Sequence, residues 1–291
     1  MLEIIDVSNW VLASEDFITG TREKKLIKAH EESEVEYLLK FPKGQGEAYA
    51  EVVAYLLATN LFSINVPEND FAKENGRLGV LSKSFIDKKK NTEAVAAMDF
   101  FGHDFDPEDL YQYTIYKAYE IVDDFNLLAD FYRMCIFDYI VANQDRHSEN
   151  WELLKNDEIS TPYIFAPIFD NGTALFGVYS YKDPKIKNML TDEVQFKAYT
   201  NRATSSFSIE VDGKIKKRPK AILVLNYLYR QNNELFIEIF SHFNKISYDD
   251  VYGCIEFISN EILGEPRKKL IGKLIIYRIE QIEKLIEKGG D

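Results

Sequence analysis

The alternation of apolar and polar positions predicts a strand-rich first part of the chain. Residues 1–19 indicate short strands and loops, and residues 35–41 (VEYLLKF) predict a strand that ends at Pro42. Residues 46–61 repeat apolar side chains at spacings of three and four, as one face of a helix does. Residues 70–85 are interrupted by Asn75-Gly76, which is typical of a tight hairpin turn. A sheet carrying one helix is therefore expected.

Beyond residue 88 the pattern is mostly helical. Asp106-Pro107-Glu108 combines a proline with acids, which favours a helix start, and a helix is predicted from there to about Val122. Residues 125–142 are apolar nearly all round, which indicates a buried central helix. A short buried strand is predicted at 164–169. Three amphipathic helices are predicted at the end of the chain, at residues 233–243, 248–262 and 266–288.

The segment between these parts, residues 177–218, is polar and carries scattered basic residues. It is predicted to be a solvated loop. Its densest basic run, residues 214–220, has a contact with a peptide substrate as the alternative interpretation.

Composition narrows the class of protein. The chain has 291 residues, of which 46% are hydrophobic, so it is long enough for one large globular domain or two lobes. The net charge of −13 argues against nonspecific binding to nucleic acid. Cys135 and Cys254 lie in apolar helical patterns and are predicted to be buried free thiols in a reducing compartment.

The first residues and the hydropathy of the chain bear on the cellular location of the protein. The first residues carry acids where a signal peptide needs bases, and no apolar run approaches the roughly 20 residues of a membrane span. A cytoplasmic location is expected, with secretion as an effector left open, and neither nucleic acid nor membrane is expected as a direct partner.

Three polar residues lie between strongly apolar segments. Asp145 follows the predicted central helix, Asn150 comes five positions later, and Asp170 opens an Asp-Asn-Gly turn after the predicted strand. Kinases use one Asp to orient the attacking hydroxyl, an Asn five residues later to bind Mg²⁺, and a second Asp to bind Mg²⁺. The spacing predicts Asp145 as catalytic base, with Asn150 and Asp170 as metal ligands.

A lysine and a glutamate supply a second element of the same chemistry. Lys40 lies on the predicted strand, and Glu51 follows it by eleven residues on the predicted helix. A strand lysine paired with a helix glutamate positions ATP phosphates in kinases. Glu47, one turn earlier, is the rival acid, and an ordinary surface position is the alternative for Lys40.

The segment ITGTREKK, from residue 18, combines small residues with cations. Such a loop can bring backbone N–H groups and positive charge to a phosphate. From these residues alone an ordinary hairpin turn is the favoured interpretation.

These motifs occur in one order: ITGTREK, YLLK, AEVVAYLLA, GVLSKSF, ANQDRHSEN and IFDNG. With them the chain resembles the HipA-like serine/threonine kinases, which include HipA toxins and stand-alone, CtkA-like members. The resemblance implies an α+β, bilobal protein-kinase-like fold with ATP between the lobes. A small β-rich N-lobe would span residues 1–87, and a larger, mostly helical C-lobe residues 88–291. HipA toxins carry an additional N-terminal subdomain. It is not expected here, because ITGTREK begins at Ile18, so the stand-alone members are expected to match better.

The resemblance also implies roles for individual residues. Asp145 would be the catalytic base, Asn150 and Asp170 the Mg²⁺ ligands, and Lys40 the lysine on the ATP phosphates. Further residues assigned to the ATP site or its support are Thr19, Gly20, Thr21, Arg22, Glu51, Ser82, Arg146 and His147. HipA toxins are inactivated by autophosphorylation of a serine in the phosphate loop. Phe17 takes that position here, so Thr19 or Thr21 would have to replace it.

The predicted function is an ATP- and Mg²⁺-dependent serine/threonine protein kinase that phosphorylates a protein hydroxyl and also itself. A regulatory or antitoxin protein is a further candidate partner. The alternatives are a phosphatidylinositol-type lipid or small-molecule kinase, which shares D-R-H-x-x-N, and a nucleotide-binding pseudokinase or regulatory module. In a last alternative, an unrelated fold uses the three polar residues as caps and turns. The excess of acidic over basic residues argues against an activity at an anionic membrane surface.

Overall fold

The computed structural model describes residues 3–14, 23–86, 92–155, 163–180 and 183–290. Within these ranges it has eleven strands and nine α-helices. Phe17 and the predicted phosphate-loop residues Thr19, Gly20, Thr21 and Arg22 lie outside the described residues. So does the predicted lobe boundary between residues 87 and 88, and these expectations stay predictions.

The first part of the chain forms a six-stranded sheet with the order β1-β5-β6-β4-β3-β2. The strands are β1 Ile5–Asp6, β2 Val11–Leu12, β3 Glu23–Lys28, β4 Tyr37–Phe41, β5 Asn69–Glu74 and β6 Arg77–Lys83. The predicted hairpin turn is confirmed: Asn75 and Gly76 have φ of 48° and 87° between β5 and β6, the left-handed geometry that this dipeptide tolerates.

The two faces of this sheet have different neighbours. Leu39 and Leu81 belong to a small core cluster on one face, whereas Val80 belongs to the main core. Lys40 pairs with Val80 across β4 and β6, so its side chain lies on the main-core face. The helix α1 Gln45–Leu57 packs against β5 and β6, and a π-helical turn at Ala58–Phe62 continues it. The strand pattern thus directs Lys40 towards α1.

The second part is built around one buried helix. The helices are α2 Ile115–Asp124, α3 Leu128–Val141, α4 Pro184–Thr191, α5 Glu193–Asn201, α6 Ala221–Gln231, α7 Asn233–Phe240, α8 Tyr248–Ile255 and α9 Glu265–Glu287. The predicted central helix is α3, which contacts α2, α6, α7 and α9. The three predicted C-terminal helices correspond to α7, α8 and α9.

Two small sheets accompany the helices. One contains β7 Glu93–Ala96, β8 Glu152–Lys155 and β9 Tyr163–Phe165, and the other is the hairpin of β10 Ile209–Val211 and β11 Lys214–Lys216. Within the described residues, no helix is long and apolar enough to cross a membrane.

The predicted helix start at Asp106 is wrong. The Asp106 and Asp109 carboxylates instead accept hydrogen bonds from backbone N–H groups two residues ahead, at 3.0 and 3.1 Å. Such Asp turns compete with a helix for the same donors. The helix α2 begins only after Thr114, whose hydroxyl caps it.

Two other expectations also differ from the structure. The strand predicted at 164–169 is shorter, because β9 ends at Phe165 and an extended segment leads from there to Asp170. The segment 177–218 is not a simple loop, because it contains α4, α5, β10 and β11. Asp183 caps α4, Asp192 caps α5, and Phe196 of α5 is fully buried. These helix caps and buried side chains order a segment whose sequence is mostly polar.

Candidate active site

The loop predicted to be catalytic, residues 143–150, follows α3 directly, and it is called the catalytic loop below. Ala142 ends the helix with φ of 58°, and the backbone N–H of Asn143 donates to the Asp138 carbonyl at 2.8 Å. This left-handed end redirects the chain into residues 143–150. Asp145 is half-buried there, shortly after the end of the buried helix α3.

A buried ion pair organises this loop. Arg146 is 3% exposed, and its guanidinium donates to both carboxylate oxygens of Asp138 on α3, each at 2.9 Å. Burial by itself would lower the pKa of Arg146, but the Asp138 carboxylate outweighs it and the pKa is raised. Arg146 is therefore a permanent cation beneath the loop.

The remaining donors of Arg146 join the catalytic loop to the Asp170 turn. Nη1 donates to the backbone carbonyl of Asn150 at 2.6 Å and to that of Phe169. Nη2 donates to the side-chain oxygen of Asn171 at 2.9 Å. One side chain thus holds together two segments that lie about 25 residues apart in sequence.

Asn143 makes a second connection between the same segments. Its side-chain oxygen accepts from the Asp145 backbone N–H at 3.2 Å and from the Thr173 hydroxyl at 2.8 Å. Its amide nitrogen donates to the Asp138 carboxylate at 3.2 Å. These bonds fix the backbone of Asp145 without using its carboxylate.

The two predicted metal ligands differ in their surroundings. Asn150 is 6% exposed, and its amide nitrogen donates to the Asp145 carbonyl at 2.7 Å, which leaves its oxygen as the ligand atom. Asp170 is exposed and has φ of 57°, and its carboxylate has no hydrogen-bond partner among the described residues. A carboxylate held on a left-handed turn without a protein partner suits a metal ion.

Lys40 and Glu51 meet in the structure. Lys40 Nζ lies 3.3 Å from Glu51 Oε1, whereas the rival Glu47 accepts from the backbone N–H of Lys43 at 3.3 Å. The second Glu51 oxygen accepts from the backbone N–H of Asn171 at 3.0 Å. Burial alone would lower the pKa of Lys40, but Glu51 and then Asp170 outweigh it and raise the pKa.

A second lysine, which the sequence pattern did not indicate, lies beside Lys40. Lys24 on β3 is the direct cross-strand partner of Lys40 on β4, so both side chains lie on one face of the sheet. Burial, and next the charge of Lys40, lower the pKa of Lys24, whereas Asp170 acts in the opposite direction. Only the strand pairing brings the two lysines together, because they lie sixteen positions apart in the sequence.

Asp138 was also missed, although the sequence carried a signal for it. It is the one acid in the apolar second half of α3, residues 134–141, and lies eight residues before Arg146. A buried acid in such a pattern requires a cation. Asn143 lies in the ANQDRHSEN motif, but no role was assigned to it, and Thr173 gave no signal, since the roles of both depend on contacts between distant segments.

Two other predicted ATP-site residues lie at the edge of this arrangement. Ser82 is buried in β6, opposite Asn69 and Leu38 of the neighbouring strands. His147 is partly exposed, and its Nδ1 accepts from the backbone N–H of Glu149 at 3.3 Å. Their roles at an ATP site stay predictions.

The donor set fits Mg²⁺ and a polyphosphate. Mg²⁺ takes one or two protein oxygens and completes its shell with phosphate oxygens and water. Asn150 and Asp170 would offer one amide and one carboxylate oxygen to such an ion, and Lys40 and Lys24 would offer positive charge to a phosphate. Within the described residues, no three His, Cys, Asp or Glu side chains could together hold a metal ion, so a site made wholly of such side chains is not found.

Comparison with known proteins gives the family. The sequence matches the family model of the HipA-like C-terminal domain over residues 17–225, more than half of the chain. The chain belongs to this family. The motifs from which the resemblance was inferred lie within the matched segment, and the predicted resemblance is confirmed.

Solved structures give the fold. The chain is similar to the proinflammatory kinase CtkA of Helicobacter pylori, with a TM-score of 0.76, 20% identity, and coverage of 99% of this chain and 98% of that one. It is also similar to HipA of Shewanella oneidensis MR-1, solved with HipB and operator DNA, with a TM-score of 0.53 and 11% identity. That match covers 97% of this chain and 68% of HipA. No curated protein sequence matches.

The predicted α+β, bilobal kinase-like fold is confirmed by this similarity. The family and the fold together support a HipA-type kinase.

Proposed function

We propose that this chain is an ATP- and Mg²⁺-dependent serine/threonine protein kinase of the HipA-like type. One observation carries the proposal: Glu51 bonds to Lys40 with one carboxylate oxygen and to the Asn171 backbone with the other. The lysine of the sheet, the helix α1 and the turn after Asp170 are thereby held in one arrangement. Kinases need the lysine–glutamate pair and the metal-binding Asp in place at the same time.

In this mechanism Asp145 accepts the proton of the acceptor hydroxyl. The hydroxyl oxygen forms a bond to the γ-phosphorus of ATP, and the bond from that phosphorus to the bridging oxygen breaks to release ADP. Lys40, with Lys24 beside it, neutralises phosphate charge. Bound through Asn150 and Asp170, Mg²⁺ would supply further neutralisation and alignment of the phosphates. Positioning and electrostatics do most of the work in such a reaction.

The decisive experiment compares the wild type with Asp145→Asn. Each protein is incubated with γ-labelled ATP and Mg²⁺, alone and with a cell extract, and labelled serine or threonine is identified after hydrolysis. We expect label on protein in the wild type and a loss of at least about a hundredfold in the variant. ATP binding by calorimetry should be nearly equal in both, because the base acts in the transition state.

The same experiment separates the alternatives. Label only in the lipid or small-molecule fraction would indicate the other class of kinase. ATP binding without transfer to any acceptor would indicate a pseudokinase. An antitoxin-like regulatory partner is a further part of the proposal, supported by the fold shared with HipA, whose structure was solved with HipB.

A further inference from the structure

A basic hairpin lies against the catalytic loop. The strands β10 and β11 pair in antiparallel register around a turn at Asp212 and Gly213. After the turn, seven residues carry five cations, all of them exposed: Lys214, Lys216, Lys217, Arg218 and Lys220. We name these five residues the basic segment.

The base of the hairpin is fixed to the residue that precedes Asp145. Gln144 accepts hydrogen bonds from both arms. Before β10, Thr204 donates from its N–H at 3.0 Å and from its hydroxyl at 3.5 Å, and Ser206 Oγ donates at 3.1 Å. From the basic segment, Arg218 Nη1 donates at 3.3 Å. A backbone bond from Ser205 to Pro219 closes the two arms at 2.9 Å. These hydrogen bonds fix the position of the basic segment relative to the catalytic loop.

The other arm is anchored too. Tyr116 of α2 accepts from the backbone N–H of Glu210 at 2.8 Å, and Ser208 N–H donates to the Tyr113 carbonyl at 2.8 Å. In the basic segment, Lys217 Nζ lies 3.8 Å from the centre of the exposed Tyr111 ring. A charged surface held in place in this way loses little conformational freedom when a ligand binds.

The charge of the basic segment is nearly uncompensated. Arg218 Nη2 lies 3.9 Å from Asp145 Oδ1, and among the described residues the other four cations have no carboxylate within 4.0 Å. The two acids of the hairpin, Glu210 and Asp212, come before the turn or within it. In a chain of net charge −13 this is an unusual concentration of positive charge.

We propose that the basic segment binds acidic residues that flank the phosphorylated hydroxyl of the protein substrate. This inference rests on the proposed kinase function and adds the substrate class. A hydroxyl that delivers its proton to Asp145 lies about 3 Å from that carboxylate, and hence within about 7 Å of Arg218. An extended chain advances about 3.3–3.6 Å per residue, so side chains about two or more positions from the hydroxyl reach the basic segment.

Electrostatic complementarity of this kind selects partners and raises association rates. The acidic surface of the rest of the chain repels a long polyanion, which favours a short acidic peptide over nucleic acid. Lys216 and Lys220 lie on either side of Arg218 and have no role in the proposed chemistry. They can be changed while Arg218, which contacts Asp145, stays in place.

The test compares Lys216→Glu/Lys220→Glu with the control Lys245→Glu/Lys284→Glu, which makes the same charge change at exposed lysines far along the sequence from the hairpin. Fluorescence anisotropy measures binding of three probes to each protein. They are a short peptide with serine between glutamates, its counterpart with lysines, and a short single-stranded DNA. Each titration is run at about 0.05 M and about 0.5 M NaCl, since exposed charges are screened at high salt.

We expect the wild type and the control to bind the glutamate peptide at least about tenfold more tightly than the lysine peptide at low salt. The hairpin variant should lose this preference, and high salt should weaken it. Equal loss in the control, no preference in the wild type, or tighter binding of DNA that depends on the hairpin would each overturn the inference. Transfer of label from γ-labelled ATP to protein serine or threonine in a cell extract separates the two proposals, because a wrong substrate class leaves this transfer intact in the wild type and a wrong kinase assignment does not.

Discussion

The carboxylate of Glu51 and the backbone N–H of Asn171 are joined by a hydrogen bond of 3.0 Å, although 120 residues separate them. Glu51 is 5% exposed, and its other oxygen holds Lys40. The position of α1 is therefore coupled to the turn that carries Asp170. A displacement of α1 would break the contacts of Glu51 with Lys40 and with Asn171 at the same time. Glu51 therefore couples the position of α1 to the geometry of the site.

This coupling predicts a strong interaction between Lys40 and Glu51. Lys40→Met should weaken ATP binding and turnover, because a lysine on the phosphates stabilises charge in both the ground state and the transition state. Glu51→Gln should cost much of the same activity, since Lys40 loses its partner. In a double-mutant cycle on kcat/KM the two losses should be clearly non-additive.

Lys43→Met is the matched control for that cycle. Lys43 is exposed in the turn before α1, and its removal should change activity by less than about fivefold. Additive losses at Lys40 and Glu51 would show that they act separately. A loss at Lys43 as large as at Lys40 would show that the wrong lysine has been chosen.

Asp170→Asn should remove the Mg²⁺ dependence of ATP binding. The carboxylate has no hydrogen-bond partner among the described residues, so the substitution should leave the thermal unfolding temperature nearly unchanged. Calorimetric titration with ATP, with and without Mg²⁺, measures the effect. Asn171→Asp would not serve as a control, because the Asn171 side chain bonds to Arg146. An unchanged affinity and an unchanged Mg²⁺ response in Asp170→Asn would contradict the assignment.

The two Arg–Asp pairs of α3 and the following loop should differ greatly in their contribution to stability. Arg146→Met leaves the buried Asp138 carboxylate without its cation, and we expect a loss of about 3–5 kcal/mol in the free energy of unfolding. Arg133 pairs with Asp130 at 2.9 Å on the exposed side of α3, and Arg133→Met should cost less than about 1 kcal/mol.

Urea unfolding followed by circular dichroism measures both variants. A preparation of Arg146→Met that is unfolded in buffer agrees with the prediction, provided that Arg133→Met folds normally. Equal urea midpoints for the two variants would show that Arg146 does not hold the catalytic loop.

The two cysteine thiols should differ in how fast they react with a disulfide reagent, and both should react slowly in the native protein. Burial raises the pKa of Cys135 well above its usual value and also raises the pKa of Cys254, with a smaller increase from nearby acids in each case. A raised pKa means less thiolate at pH 8, and the thiolate is the reactive form. We expect a disulfide reagent to modify Cys254 slowly and Cys135 only after unfolding.

In Cys254→Ser, the native protein should not react with the disulfide reagent at pH 8. In urea the variant should react at one thiol, Cys135. The rate for Cys254 should rise as the pH is increased towards its raised pKa. Two thiols that react in the native protein as fast as in urea would contradict the burial of Cys135 in α3.

Local patterns in the sequence determined the main elements and the candidate residues. The Asn75-Gly76 hairpin, the central helix and the three terminal helices were predicted because turn chemistry and helical periodicity are properties of short segments. The spacing of Asp145, Asn150 and Asp170 identified them as candidates for the same reason. The pairing of Lys40 with Glu51 was also predicted, since a strand and the next helix lie in contact.

Only the tertiary structure decided what surrounds these residues. Lys24 lies beside Lys40 through strand register, Asp138 compensates Arg146 across the helix end, and the basic segment reaches Asp145 through Gln144. No local periodicity encodes such contacts, because they join segments that come together only when the chain packs. The segment 177–218 failed as a predicted loop for the same reason: its order comes from caps and from buried anchors such as Phe196, whose partners lie in other helices.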